Sequence, residues 1–461
     1  MKIKSKTIPP QWIIAGVFFA AIIIGALLLM LPFASVGQGS LGLLPALFTS
    51  TSATCVTGLS VIDIGSELTM FGQIVVLLLI QLGGLGIMTI GTFLLIIVGQ
   101  RLSLQNEFVL MNTYGTGEAD CLRSLLRLAV GFTLLIEAVG AIILWRCYLT
   151  PPPDVAAQMG YNIGKPLYYA IFHSVSAFCN AGFSLHSNSL IGFQNNPLYL
   201  STVAMLVIAG GLGFLVLYNI TRIRFWDRNL KTRGRLTLHS KVVLLATAIL
   251  LVAGTILILV QEWNNTLSAI PELSNKIVCA IFHSVTPRTA GFNCLPMTEL
   301  NGSTTFTTSL LMFVGGSPGS TAGGIKTSTL FVLIMTITAI CKGRKRTLIF
   351  NRTIPERIVR EALAIFLLSM LGILFAYGLL MHFEHPGTPG TSANLFFETL
   401  SAFATVGLSI DYTTSLSHAG QYIIMVCMFI GRLGPMTVAL LIGSRSVIER
   451  IHYPEEDIVV G

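Results

Sequence analysis

The chain has 461 residues, 53% of them hydrophobic and only 10% charged, with a net charge of +8 and a mean hydropathy of +0.78. That composition excludes an ordinary soluble protein, and no aromatic-basic platform or recognised motif turns the positive charge into a nucleic-acid surface. In chain order, apolar runs cover Trp12 to Leu31, Phe71 to Val98, Leu125 to Leu144, Leu198 to Tyr218, Val242 to Val260, Ile358 to Met381 and Tyr422 to Ile442. Each is long enough to cross a hydrocarbon core of roughly 30 Å as a helix. A Gly-interrupted run from Thr308 to Ile340 makes the eighth. The first run follows Lys2, Lys4 and Lys6 and exceeds a signal-peptide apolar region, which predicts a retained helix.

Four copies of one short segment lie between these runs: FTSTSATCVTGLS from Phe48, FHSVSAFCNAGFS from Phe172, FHSVTPRTAGFN from Phe282 and FETLSAFATVGLS from Phe397. A fixed internal repeat dictates architecture. Each copy reaches a glycine, Gly58, Gly182, Gly291 or Gly407, ten residues after its Phe in three copies and nine in the third. A second landmark follows in each apolar run, at Gly83-Gly84-Leu85-Gly86, Gly210-Gly211-Leu212-Gly213, Gly315-Gly316-Ser317 and Gly431-Arg432-Leu433-Gly434. These clusters begin 25, 28, 24 and 24 residues after the repeat glycine. Two motifs in one register predict an all-α membrane protein of four parallel helix, pore-loop, helix repeats. Eight transmembrane helices and four re-entrant pore helices would surround a pseudo-fourfold central pore. The repeats divide the chain at 1–110, 111–236, 237–350 and 351–461.

Charge sets the orientation. The connections Arg222 to Lys241 and Lys342 to Arg360 each carry seven Lys or Arg against one acid, whereas Pro32 to Thr69 and His382 to Ala419 carry none. The positive-inside rule puts the basic loops and both termini in the cytoplasm, with the repeated segments entering from the opposite face.

Residues such as Ala170 to Ala177 or Ser392 to Phe403 can form short helices whose C-terminal dipole end favours a cation. The triplets that follow are Val56-Thr57-Gly58, Asn180-Ala181-Gly182, Thr289-Ala290-Gly291 and Thr405-Val406-Gly407. None contains an ionised side chain, so backbone carbonyls would replace ion hydration, as suits K⁺. The eight cysteines show neither CxxC nor metal-ligand spacing. His173 and His283 share a repeat position with Thr49 and Glu398, which excludes a four-His ring and points to packing or hydrogen bonding.

In the third repeat the stretch Gly315-Gly316-Ser317-Pro318-Gly319-Ser320-Thr321-Ala322-Gly323-Gly324 cannot continue a helix, and it is the clearly broken helix of the set. Irregular backbone at this depth must be buried in protein or line a cavity, so a mobile loop obstructing the path is expected. The near match of Gly319 to Thr327 to a phosphate-binding loop fails, because Ile325 separates Gly324 from Lys326 in an apolar span. Arg432 takes the slot of Gly84, Gly211 and Gly316. A charge at such depth usually faces the bundle interior. Lys326 is a candidate anchor for the loop or a snorkelling side chain.

On these motifs the chain resembles the membrane subunits of the Trk/Ktr/HKT superfamily of potassium transporters. Thr405-Val406-Gly407 is similar to the opening of the potassium-channel filter, while the other triplets keep the glycine among small or polar neighbours. The KtrB branch is the nearer one, because the first repeat begins at once, without an additional helix pair. The resemblance implies a filter at the four glycines, a gating loop at 315–324 and an arginine barrier at Arg432. It also implies a homodimer and a cytosolic, KtrA-like ring of nucleotide-binding regulatory subunits docked on the basic loops. K⁺ is then the transported ion, no covalent cofactor is expected, and ATP, ADP or NAD acts only through the partner. A role for Na⁺ as activator or co-ion stays open. The rival readings are a Na⁺-conducting or Na⁺/K⁺-symporting carrier on the same scaffold, a membrane enzyme, and an alternating-access carrier of organic solutes. No enzyme is expected, because Glu137, Glu398, Lys326 and Arg432 form no recognisable acid-base or metal set.

Overall fold

In a computed structural model of the chain, the described residues are 10–37, 39–97, 119–152, 155, 165–221, 236–384, 391–435 and 437–438. Lys2, Lys4, Lys6, residues 222–235 of the first basic connection and the C-terminal tail lie outside them. The described elements fall into four successive quarters. Each has a long helix, a short helix and a second helix.

The long helices are Pro10–Leu29, Ala119–Leu149, Leu238–Glu262 and Glu356–Glu384. Each is long and apolar enough to cross a bilayer. The short helices are Leu43–Thr54, Lys165–Phe178, Leu273–Val285 and Thr391–Phe403. At a rise of about 1.5 Å per residue they span only part of a bilayer. All four landmark residues, Phe48, Phe172, Phe282 and Phe397, are buried.

Short and long helices cross at matched small residues. Ser50, Ser174 and Ser284 donate hydrogen bonds to the carbonyls of Ile22 (2.7 Å), Glu137 (2.7 Å) and Leu251 (3.0 Å). Facing them are Gly25, Gly140 and Gly254, where a Cβ would come within 2.3–2.6 Å of the serine oxygens. The fourth quarter uses another contact: Thr399 bonds within its own helix and Gly372 packs on the Phe403 ring.

The second helices correct the expectation of eight continuous spans with one break. Met70–Ile97 is continuous, but the second quarter has Pro197–Leu212 followed by Phe214–Thr221, bent by 97°. The third has Gly302–Phe313 and Thr327–Cys341 joined by non-helical residues 314–326, and the fourth has His418–Leu433. Gly434, with φ +87°, ends His418–Leu433 short of the expected Tyr422 to Ile442 span, and the larger unexpected break occurs at Gly213, whose φ of +84° no helix accommodates. Its freed backbone groups find partners in the third quarter: the Phe214 amide donates to the Gly319 carbonyl at 3.1 Å, and the Ser317 hydroxyl donates to the Leu212 carbonyl. Two broken helices thus satisfy one another where water is excluded.

Two carboxylates tie long helices to second helices. Glu262 accepts from the Asn301 amide (2.9 Å) and the Thr304 hydroxyl (2.5 Å) at the start of Gly302–Phe313. Glu384 accepts from the Ser417 amide (3.1 Å) and hydroxyl (2.7 Å) ahead of His418. The basic connection 342–360 folds into a hairpin, Leu348–Ile349 with Arg352–Thr353, whose Phe350 ring lies beneath the Lys241 ammonium at 5.9 Å.

Candidate functional site

Each glycine triplet repeats one backbone conformation. Val56, Asn180, Thr289 and Thr405 have φ of +56°, +60°, +69° and +51°, and Gly58, Gly182, Gly291 and Gly407 have +97°, +72°, +75° and +88°. The residues between them, Thr57, Ala181, Ala290 and Val406, are not left-handed. Alternating handedness undoes the side-to-side alternation of an extended strand, so successive carbonyls turn toward one side.

Three of the left-handed leading residues are β-branched, a conformation that costs on the order of 1–3 kcal/mol and persists only where neighbours enforce it. Asn180, of a type that tolerates this region, packs its amide against the carbonyls of Ala177 and Val207. The enforcement is visible in the hydrogen bonds. The amides of Thr57, Ala181 and Val406 each donate at 2.8 Å to the carbonyl five residues back, on Ser52, Ser176 and Ser401. In the third quarter Ala290 donates instead to Thr286, four residues back, at 2.9 Å. The shorter bond absorbs the missing residue between Phe282 and Gly291.

A hydroxyl position missed by the sequence reading completes this support. Ser52 and Ser401 accept from the amides of Gly58 and Gly407, both at 3.1 Å. Ser176 donates to Phe183 at 2.8 Å, and Thr286 donates to the Phe292 carbonyl. Four copies with Ser or Thr four residues after the Phe were the available signal. The position after the Phe also supports the backbone beyond the triplet. His173 contacts Ser184 (3.1 Å) and the Leu185 amide (3.4 Å), and Glu398 accepts from Ser409 (2.5 Å) and the Ile410 amide (3.1 Å). His283 instead reaches Thr308 at 3.3 Å. Hydrogen bonding is thus the observed role of both histidines, and no cluster of metal-ligating side chains exists among the described residues.

The triplets meet in cyclic order. A Cβ on Gly58 would lie 2.5 Å from the Ala181 carbonyl oxygen, one on Gly182 2.9 Å from that of Ala290, one on Gly291 2.7 Å from that of Val406, and one on Gly407 2.0 Å from that of Thr57. The fourth contact returns to the first quarter and closes a ring.

The second glycine register has its own cause. A Cβ on Gly83, Gly210 or Gly431 would fall 2.1, 1.9 or 1.9 Å from the carbonyl oxygen ending a short helix, that of Thr54, Phe178 or Phe403. In the third quarter Gly315 instead meets the Gly323 carbonyl, within its own segment, at 2.1 Å. We expect Gly431→Ala to lower the thermal midpoint and yield of the purified protein sharply. Gly378→Ala, where nothing lies within 4 Å, should be neutral or stabilising by about 1 kcal/mol. Equal midpoints for the two variants would refute the packing argument.

The segment 314–326 crosses between quarters. Its ends pair through Gly315 N to Ile325 O and Thr327 N to Gly316 O, both 3.0 Å. The Ser317 amide donates to the Gly211 carbonyl at 3.0 Å, its single hydroxyl proton is shared between the Gly211 (2.9 Å) and Leu212 carbonyls, and the Thr321 amide donates to the Gly210 carbonyl at 3.3 Å. On the other side Gly323 packs against Thr405, its would-be Cβ 1.9 Å from the hydroxyl oxygen. The Lys326 ammonium donates to the Ala322 carbonyl at 2.7 Å, and so holds the segment's own backbone. Arg432, 4% exposed, donates to the carbonyls of Thr321 and Gly83. One belt beneath the triplets therefore joins all four quarters. Arg288, a second buried arginine, went unremarked in the sequence reading, although it was visible as the charge in a position held by Thr54, Phe178 and Phe403.

The chain as a whole is similar to known proteins. The family described as TrkH, cation transport protein, matches residues 12–447. The chain belongs to the TrkH family. It is 36% identical to the Ktr system potassium uptake protein B of Bacillus subtilis, over 98% of this chain and 97% of the relative. It is also 36% identical to the potassium/sodium uptake protein NtpJ of Enterococcus hirae, over 100% of this chain and 99% of the relative. The crystal structure of the potassium transporter TrkH from Vibrio parahaemolyticus shares the fold, with a TM-score of 0.71 over 96% of this chain and 86% of that one at 18% identity. As a TrkH-family member the protein is a multi-pass membrane cation transporter and not an enzyme.

Proposed function

We propose that this protein is the ion-translocating subunit of a potassium uptake system in the plasma membrane, with both termini cytoplasmic. The observation that carries the reading is the closed ring of four glycine triplets, each glycine against the carbonyl of the next. Such a ring presents oxygen dipoles and no ionised side chain, a composition suited to a weakly hydrated monovalent cation. Residues 56–58, 180–182, 289–291 and 405–407 form the filter, and the four pore helices direct their negative dipole ends toward it. Each quarter is then one repeat, bounded as 1–110, 111–236, 237–350 and 351–461.

Residues 315–324 are the gate, because they cross beneath the ring with their hydrogen bonds spent on Gly210 and Gly211 rather than on a helix of their own. Arg432 locks that arrangement and places positive charge in the ion path, while Lys326 keeps the loop compact. The subunit works as a homodimer under a KtrA-like ring of nucleotide-binding subunits, for which the exposed basic hairpin at 342–360 offers a docking face. Flux is driven by the membrane potential, worth about 2.3 kcal/mol per charge per 100 mV.

Uptake of rubidium tracer into liposomes containing the purified protein tests the reading. Uptake competed by K⁺ and hardly by Na⁺ is the expected result. Equal competition by Na⁺ would favour the Na⁺-conducting or Na⁺/K⁺-symporting alternative, which gains interest from the potassium/sodium relative. Absence of rubidium uptake even with the regulatory ring present would overturn the assignment.

A further inference from the structure

In the first and fourth quarters a serine holds the ring glycine itself, whereas Ser176 and Thr286 bond to Phe183 and Phe292 instead. The second and third triplets are held one residue earlier. Arg288, immediately before Thr289, donates to the Thr247 hydroxyl on Leu238–Glu262 at 3.2 Å. Cys179, immediately before Asn180 and fully buried, lies against Gln81 and Glu137. Its single thiol proton has two acceptors, Gln81 Oε1 at 3.5 Å and Glu137 Oε1 at 3.8 Å, and Gln81 Nε2 donates to Glu137 Oε2 at 3.3 Å. A Cβ on Gly84 would fall 2.6 Å from the Cys179 sulfur, so the thiol is packed from that side too. Gln81 belongs to Met70–Ile97 and Glu137 to Ala119–Leu149, so the cluster bridges the first and second quarters.

Neither polar side chain is demanded by the repeat. The carbonyls of Ile22, Glu137 and Leu251 accept equivalent serine bonds, so the Glu137 side chain occupies a slot that is apolar in the first and third quarters. Gln81 lies two residues before its glycine cluster, where the other quarters carry Ile208, Phe313 and Phe429. An ionisable group at this depth is expensive. Glu137 is 6% exposed, and no Lys, Arg or His forms an ion pair with it among the described residues. An apolar residue would pack there at less cost. What the carboxyl adds over leucine is a grip on Cys179, and through it on Asn180, whose φ of +60° opens the second triplet.

We propose that Glu137 is a positioning residue for ion selectivity, holding Cys179 by side-chain hydrogen bonds and so fixing Asn180-Ala181-Gly182 against the third triplet. This role rests on the triplets being the filter. The test uses the full-length protein in liposomes, with rubidium uptake competed by K⁺ and by Na⁺. Glu137→Leu should still take up rubidium but lose about fivefold in preference for K⁺ over Na⁺, the equivalent of one neutral hydrogen bond. Glu137→Gln should keep the preference, because an amide can accept from Gln81 and donate to the Cys179 sulfur. The double variant Gln81→Ile with Glu137→Leu removes both polar side chains. It should show the same loss with a thermal midpoint no lower than wild type, and it decides the matter if Glu137→Leu does not fold. An unchanged preference in these leucine variants, beside a selective wild type, would overturn the positioning role and leave the filter reading standing. An equal loss in Glu137→Gln would also overturn it, since charge and not hydrogen bonding would then be the contribution. A wild type that does not discriminate would overturn the filter reading and this role together.

Discussion

Gly407→Ala should abolish discrimination between K⁺ and Na⁺, and among alanine substitutions at the four ring glycines it should do the most damage. A methyl group there would lie 2.0 Å from the Thr57 carbonyl oxygen and 3.0 Å from the Gly58 Cα. Both are backbone atoms, so no rotamer relieves the clash and the first triplet itself must move. The backbone at Gly407 also has φ +88°, which costs an L-residue about 1–2 kcal/mol on its own. Clearance to the neighbouring carbonyl grows from 2.0 Å at Gly407 to 2.5 Å at Gly58, 2.7 Å at Gly291 and 2.9 Å at Gly182. Loss of selectivity should fall in that order when rubidium uptake is competed with K⁺ and with Na⁺. An unchanged competition ratio in folded Gly407→Ala would place the selective element elsewhere.

Deleting residues 316–324 should raise rubidium flux about tenfold or more and make it insensitive to the proposed regulatory ring. The deletion removes the bonds from Ser317 and Thr321 to the Gly210–Leu212 backbone, together with the Thr321 carbonyl that Arg432 grips. Neutral hydrogen bonds contribute about 1 kcal/mol each and charge-assisted ones about 1.5–3 kcal/mol. Losing two or three therefore exceeds the roughly 1.4 kcal/mol that corresponds to a factor of ten. Arg432→Lys gives a finer version of the test. Lysine keeps the charge, but its single ammonium cannot reproduce the guanidinium fork between Thr321 and Gly83. Its flux should lie between wild type and the deletion. A deletion that folds yet conducts no faster would remove the gate assignment.

Local chemistry accounts for how much of this site was legible in advance. Four copies of one segment and a second glycine register are sequence patterns with a single physical cause each, the left-handed triplet and the close helix crossing. Both causes act within a few residues or at a conserved depth of each repeat, so the glycines, the triplets and the break in the third quarter were all visible. The hydroxyls at Ser52, Ser176, Thr286 and Ser401 were equally local and could have been read from the same aligned copies. Gly213 could not. Its cluster reads like the one at Gly83 to Gly86, which stays helical, and only the carbonyl of Gly319 and the hydroxyl of Ser317 arriving from the next quarter let the helix bend.

The sequence alone therefore determined the membrane setting, the four-part organisation and the identity of the ring glycines, because hydropathy, repeat spacing and backbone permissiveness are written residue by residue. Tertiary structure alone decided which quarter each glycine faces, where the Arg432 guanidinium ends and that Arg288 reaches the Thr247 hydroxyl. Those outcomes depend on partners as far apart in the chain as Gly83 and Arg432. No local pattern encodes such a distance; the packing of the four quarters sets it.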